Sequence, residues 1–289
     1  MTVPAILHPI SHELHRVRDE VEHQLSQISA TALSQFQTIT DSSVHHLFTA
    51  HGKYLRPSLV LLTAKALGDR YAVDTEHLVK IAAAVELIHS ASLVHDDIID
   101  MADERRDQPS LNSVFGNKMA VLVGDLLYDQ SFALLTELTG VGARAQLALF
   151  ELFTSTTRKM CLGEIYEDQI VAEPGIVTFD EYLQVIDYKT ASLMACCCRA
   201  SAIAAGADDR DSTLADNYGR HLGRTYQLID DVIDEDSVFF NREEMLNRAV
   251  EEAALGNQAL GELGENDGTR RLSEITGTVI KRAGQTVRV

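Results

Sequence analysis

With 289 residues, 45% of them hydrophobic, the chain is long enough to bury a large core. Its 24% charged residues set it apart from disordered sequences. The formal net charge of −18 argues against nucleic acid as a partner and leaves room for divalent cations on carboxylate clusters.

Met1 to Arg16 shows no basic end followed by an apolar core, so no secretory signal is expected. No uninterrupted run of about 18 apolar residues appears, so no transmembrane segment is expected either. The cysteines are Cys161 and the run Cys196, Cys197, Cys198. Three adjacent thiols suit neither a disulfide framework nor zinc spacing, and are read as buried thiols in a reducing cytoplasm.

Prolines stand only at 4, 9, 57, 109 and 174, between long segments rich in Ala, Leu, Glu and Gln. In chain order the pattern predicts helices over about 10–30, 31–50, 56–68, 75–101, 114–139, 142–172, 179–206, 209–236, 241–261 and 268–285. In the fourth, Leu78, Ile81, Ala82, Val85, Ile88, Ser92 and Ile99 approximate one face. The seventh opens on a capping box, Thr178 to Glu181. The Ala-rich stretches 81–94 and 191–207 are apolar on more than one face, as helices inside a bundle are. Alternation of β-branched residues between Asn-Gly or Asp-Gly turns is missing, so no sheet is expected. The expectation is a single all-α domain, 1–289, built as a bundle of about ten helices.

The first chemical signal is His95-Asp96-Asp97-Ile98-Ile99-Asp100. On a helix, Asp96 and Asp100 share a face, with Asp97 displaced around the axis. Like charges at i and i+4 weaken a helix by roughly 0.2–0.5 kcal/mol, so something must neutralise them. Hard carboxylate oxygens suit Mg²⁺, which keeps several waters and shares its shell with phosphates. The second signal, Gln227 to Asp234, repeats the DDxxD spacing as Asp230, Asp231 and Asp234 with the same apolar filling. One such motif reads as an acidic helix end; two on apolar helices read as a metal-diphosphate receptor, both facing one pocket.

Such a receptor needs cations. Arg105 and Arg106 follow the first cluster, and their guanidinium forks match phosphate geometry, although adjacent arginines also serve as solvent-facing charge. Lys53 and Arg56 lie three apart at a helix start, where the dipole favours anions. Lys189, beside Thr190 on an apolar segment, reads either as a functional cation or as a snorkelling side chain.

HGKYLRP, ELIHSASLVHDDIIDMADERR, GEIYEDQ, YKTASLM and YQLIDDVID, in this order over residues 45–236, resemble the motifs of trans-isoprenyl diphosphate synthases. The resemblance implies an all-α bundle around a central cavity, a homodimer, and Mg²⁺-dependent condensation of isopentenyl diphosphate with an allylic prenyl diphosphate. It implies that Asp96, Asp100 and Asp230 bind Mg²⁺ and are catalytic together with Lys189, while Asp97, Asp231 and Asp234 complete the metal motifs. Lys53, Arg56, His89 and Arg106 would hold isopentenyl diphosphate; Arg105, Lys189, Thr190 and Gln227 the allylic substrate. The metals and cations would draw off pyrophosphate, and the isopentenyl double bond would attack the resulting cation. The residues one turn before Asp96, Ala91 and Ser92 with Ile88 below, would floor the product tunnel. Their small size implies a product of C20 or longer.

Two departures stand out. The family's RRG reads Arg105-Arg106-Asp107 here, and no Gly-Lys follows Asp234. A few dozen residues of the family pattern are absent before the segment 248–282. Three explanations stand beside each other: a loop missing from the sequence, a shortened chain, or a weakened or regulatory subunit of a heteromeric synthase. A class I terpene cyclase is the further alternative. Its second metal motif is generally a mixed Asn/Ser/Glu set, and it has no need of Lys53, Arg56 and His89.

Overall fold

The structure is a computed structural model and describes residues 5–30, 32, 37–46, 54–172, 177–234 and 240–285. It is all-α apart from one small hairpin. The α-helices are α1 (Ser11–Ala30), α2 (Gln37–His46), α3 (Leu55–Leu67), α4 (Thr75–Ile99), α5 (Leu111–Phe115), α6 (Asn117–Thr136) and α7 (Ala143–Ala172). They continue with α8 (Phe179–Ile186), α9 (Ser192–Ala205), α10 (Asp209–Asp234), α11 (Arg242–Leu263) and α12 (Asp267–Gln285). Short 3₁₀ turns, Ala5–Ile10 and Gly68–Arg70, precede α1 and follow α3.

The helices separate into two compact units. One takes Met1–Ser11, Leu59–Asp74 and Val141–Val289; the other takes His12–Ser58 and Thr75–Gly140. In the second unit α4 packs on α6. Ile81, Ala82, Ala83, Ala84, Val85, Leu87 and Ile88 are all fully buried, which a helix achieves only when neighbours surround it. In the first unit α9 plays that part: Cys196, Cys197 and Cys198 point in three directions and none is exposed. Cys161 is exposed.

Local sequence explains most boundaries. Thr178 accepts from Glu181 N–H while the Glu181 carboxylate accepts from Thr178 N–H, the expected capping box. Asn241 caps α11 by accepting from Glu244 N–H at 2.8 Å. Gly206, at φ 70°, ends α9 in the left-handed conformation that glycine takes without strain.

Three expectations need correction. First, a two-residue hairpin pairs β1 (Glu104–Arg105) with β2 (Gln108–Pro109), Glu104 opposite Pro109 and Arg105 opposite Gln108. Its turn places Arg106 at φ 56° and Asp107 at φ 60°, the geometry usually given to Asn-Gly. Second, the helix expected over 114–139 is two, because Gly116 at φ 82° breaks it between α5 and α6. Third, the helix expected over 179–206 is interrupted by a π-turn, Asp187–Ala191. By length and composition alone α4 and α6 could cross a membrane, but core helices pass the same test, and the richest window of α4 is 67% buried within the protein. The helix expected over 31–50 is described only as α2; 31, 33–36 and 47–50 lie outside the described residues.

Candidate functional site

The first aspartate cluster ends α4. Asp100 is exposed, Asp96 part-buried and Asp97 buried. Arg105 Nε donates to Asp97 Oδ1, and the β1–β2 hairpin is what turns Arg105 back onto α4. Burial pushes the Asp97 carboxyl above its usual range, Arg105 opposes that rise, and the Asp100 charge adds to it. Asn112 ties the helix end by donating to Ala102 O at 3.1 Å and Asp97 O at 3.4 Å.

Two turns earlier on α4 stands His89. Arg56 Nη1 lies 3.0 Å from His89 Nε2. A guanidinium only donates, so Nε2 must accept and the imidazole is neutral. Burial, then the charges of Arg56, Arg106 and Arg105, hold the His89 pKa well below its ordinary value. Arg56 Nε is buried with no hydrogen-bond partner among the described residues, a donor left for a ligand or water. Glu86, one turn before His89, is buried; desolvation raises its pKa against the pull of Arg56 and Arg106. Tyr54, at φ 50°, has its phenol pushed up to about 12, chiefly by burial and then by Glu86. The charges of Arg56 and Arg106 thus both act on His89, while Lys53 lies outside the described residues.

The second cluster ends α10. Arg220, Arg224, Gln227 and Asp231 recur at helical spacing along one face and form a polar seam with α8 and the π-turn. Asp187, which opens the π-turn, accepts from Arg220 at 2.5 Å and from Arg224 Nε at 2.9 Å. Thr190 Oγ1 donates to Gln227 Oε1 at 2.7 Å, and Gln227 Nε2 donates to Asp231 Oδ1 at 2.7 Å. Tyr182 OH donates to the other Asp231 oxygen. Asp230 pairs with Arg282 of α12 at 2.7 Å. The backbone of Asp234 completes α10, and its side chain lies outside the described ones, as do residues 235–239 where the family loop would begin.

Lys189 is no snorkelling lysine. Its ammonium donates to Glu167 and, at 3.2 Å, to Glu164, both on α7. Burial pulls its pKa down, but the two glutamates outweigh that and the net shift is upward. The π-turn reaches this position because α7 and α10 carry glycine where they touch it. A Cβ on Gly163 would stand 2.4 Å from Lys189 N, and one on Gly223 2.4 Å from Ala191 Cα.

Glu86, Glu164, Glu167, Tyr182, Asp187 and Arg282 were not singled out from sequence alone. The signals available for Glu164 and Glu167 were the GEIYEDQ motif that contains both and their i, i+3 spacing, which puts them on one helix face.

Among the described residues, no group of three or more His, Cys, Asp or Glu side chains converges as a ready-made metal site. The donor chemistry nonetheless fits Mg²⁺. Each cluster offers hard oxygens from a helix end, and Mg²⁺ asks for one or two carboxylates plus water and phosphate. Asp96 and Asp100 would hold it on α4, Asp230 on α10.

Residues 37–252 match the family model described as polyprenyl synthetase. The chain is similar to a prenyl transferase of Porphyra purpurea, 35% identical over 236 residues covering 81% of this chain and 67% of that protein. It is similar to the octaprenyl diphosphate synthase of Escherichia coli (strain K12), 32% identical over 224 residues, 76% of this chain and 66% of that protein. The chain therefore spans about two thirds of the length of these relatives. In fold it matches a polyprenyl synthase from Caulobacter crescentus CB15, solved with calcium and isoprenyl diphosphate, at a TM-score of 0.81 and 23% identity. That match covers 96% of this chain and 97% of the solved one.

Proposed function

Because this chain belongs to the polyprenyl synthetase family, we propose that it condenses isopentenyl diphosphate with an allylic prenyl diphosphate, releasing pyrophosphate. The observation that carries the reading is the Arg56–His89 pair beside Arg106. A cyclase acts on one allylic diphosphate and has no use for a second anion cradle next to its metal carboxylates.

In this reading Arg56 keeps a buried Nε–H for a diphosphate oxygen while neutral His89 orients the fork. Lys189, Thr190 and Gln227 bind and orient the allylic diphosphate, held in place by the seam on α10. Each aspartate cluster would hold Mg²⁺, and bound Mg²⁺ would supply Lewis-acid stabilisation of the departing pyrophosphate. The allylic C–O bond breaks, the isopentenyl double bond supplies the new C–C bond, and one proton leaves the product. Apolar side chains exclude water from the cation.

Ala91 and Ile88 are fully buried, and Ser92 Oγ turns inward to donate to His89 O at 2.9 Å. The small side chains at 91 and 92 favour a product of C20 or longer, in line with the octaprenyl product named for the relative from E. coli. The reading further takes the chain as one domain acting as a homodimer in the cytoplasm.

Incubation with radiolabelled isopentenyl diphosphate, a series of allylic primers and Mg²⁺, followed by chain-length analysis, tests the reading. Asp96→Ala and Asp230→Ala should each cut turnover by orders of magnitude with folding intact. Release of a hydrocarbon from allylic diphosphate alone would replace this reading with a cyclase.

A second reading, a weakly active or regulatory subunit, is favoured by the missing Gly-Lys segment and by the partial span of the relatives. It predicts no incorporation by the chain alone and altered product length when it is mixed with a complete synthase.

A further inference from the structure

Arg282 stands on α12, far along the chain from either aspartate motif, yet its Nη2 lies 2.7 Å from Asp230 Oδ1. The same guanidinium sits 5.1 Å from the centre of the Tyr226 ring. Tyr226 and Asp230 are one turn apart on α10, so ring and carboxylate make a two-point cradle on one helix face. The pair is only partly exposed, 35% for Arg282 and 23% for Asp230, so solvent screens it incompletely. Lys189 does not duplicate this contact, because Glu164 and Glu167 already engage it.

We propose that Arg282 is the resident counter-cation of the second aspartate cluster. It occupies the carboxylate oxygen that a divalent ion would take and must be displaced when metal loads. This rests on the reading of Asp230 as a metal ligand. It also accounts for the lack of a preformed acidic metal cluster among the described residues: Asp230 is held by Arg282, Asp231 by Tyr182 and Gln227, and Asp97 by Arg105. Displacement is easier when a diphosphate arrives with the ion, because a freed guanidinium can then donate to phosphate oxygens. Loading of this cluster is thereby coupled to substrate.

Mn²⁺ titration followed by loss of the free-ion EPR signal, with no diphosphate present, reads the competition directly. Against wild type, Arg282→Gln should bind Mn²⁺ about three- to fivefold more tightly, the range expected for releasing a partly exposed ion pair. The gain should shrink in concentrated salt and be smaller in Arg282→Lys, which keeps the charge. In an Asp230→Asn background, Arg282→Gln should give no gain, since the interaction it removes is already gone. Arg282→Met, which keeps the aliphatic stem without a polar end, should repeat the Gln gain, separating loss of charge from any disturbance of α12 by a polar group. Unchanged or weaker Mn²⁺ affinity in both neutral variants, or an equal gain without Asp230, would overturn the proposal. Failure of the underlying reading shows separately, as absence of isopentenyl incorporation by the wild-type chain with Mg²⁺.

Discussion

Gly163 faces the π-turn across a close helix contact beside the second cluster. A methyl group there would stand 2.4 Å from Lys189 N, 2.8 Å from Lys189 Cα and 2.9 Å from the Tyr188 carbonyl carbon. Ordinary contact begins at 3.4 Å, so Gly163→Ala forces about 1 Å of retreat. All three atoms are backbone, and no rotamer change can absorb the overlap. Overpacking of this kind costs roughly 1–3 kcal/mol, less than the total stability of a typical domain, so the variant should fold. Activity should suffer more. A displacement of about 1 Å in a group that positions a substrate lowers turnover on the order of 100-fold. Gly261→Ala on α11 is the control, because nothing lies within 4 Å of its Cβ and removal of a helical glycine stabilises by roughly 0.5–1 kcal/mol. Melting temperature should therefore fall in Gly163→Ala and rise in Gly261→Ala, while steady-state prenyl transfer with the allylic substrate varied should fall only in Gly163→Ala. Wild-type turnover and melting temperature in Gly163→Ala would refute the close-approach argument.

Three further outcomes follow from the same geometry. His89 is held neutral in the folded protein but titrates near 6.5 when unfolded, so below that pH the unfolded chain binds the extra proton and stability falls. The His89 contribution should reach about 1.4 kcal/mol per pH unit, fading in His89→Gln when denaturant unfolding is compared from pH 7 down to 5. Asp187→Asn leaves Arg220 and Arg224 without their shared carboxylate; chemical denaturation should show a loss of about 3 kcal/mol, and a loss below 1 kcal/mol would mean that solvent replaces the bond. Asp107→Val puts a β-branched residue at φ 60° and should destabilise the hairpin by about 1–2 kcal/mol, whereas Asp107→Gly should be tolerated.

Much of the molecule was legible in the chain itself. Helical periodicity located most of the helices, and the Thr178–Glu181 box stands as expected because capping is a local interaction of four residues. The paired DDxxD spacing and the Lys189-Thr190 step pointed to groups that do sit at helix ends and on one turn. Three things were not legible, each for a physical reason. The hairpin turn at Arg106-Asp107 uses left-handed conformations without glycine, so its sequence carries no turn signal. The π-turn differs from α-helix by a single inserted residue, which periodicity over a short window does not resolve. The partners Asp187 and Arg282 are set by packing between helices, and ion pairs across that distance leave no trace in spacing.

The π-turn has a consequence for how this chain tolerates change in length. Since a π-bulge is one residue more than a regular helix needs, deleting Tyr188, which carries none of the Asp187 ion pairs, would let α8 run into α9 as ordinary α-helix. The shortened chain would keep its caps, its buried cysteines and its backbone hydrogen bonds. Lys189 and Thr190, however, would rotate about the axis relative to Gln227 and Glu164. A lesion of this kind would yield well-folded, abundant and inactive protein, a phenotype that expression level or melting behaviour alone would pass as wild type.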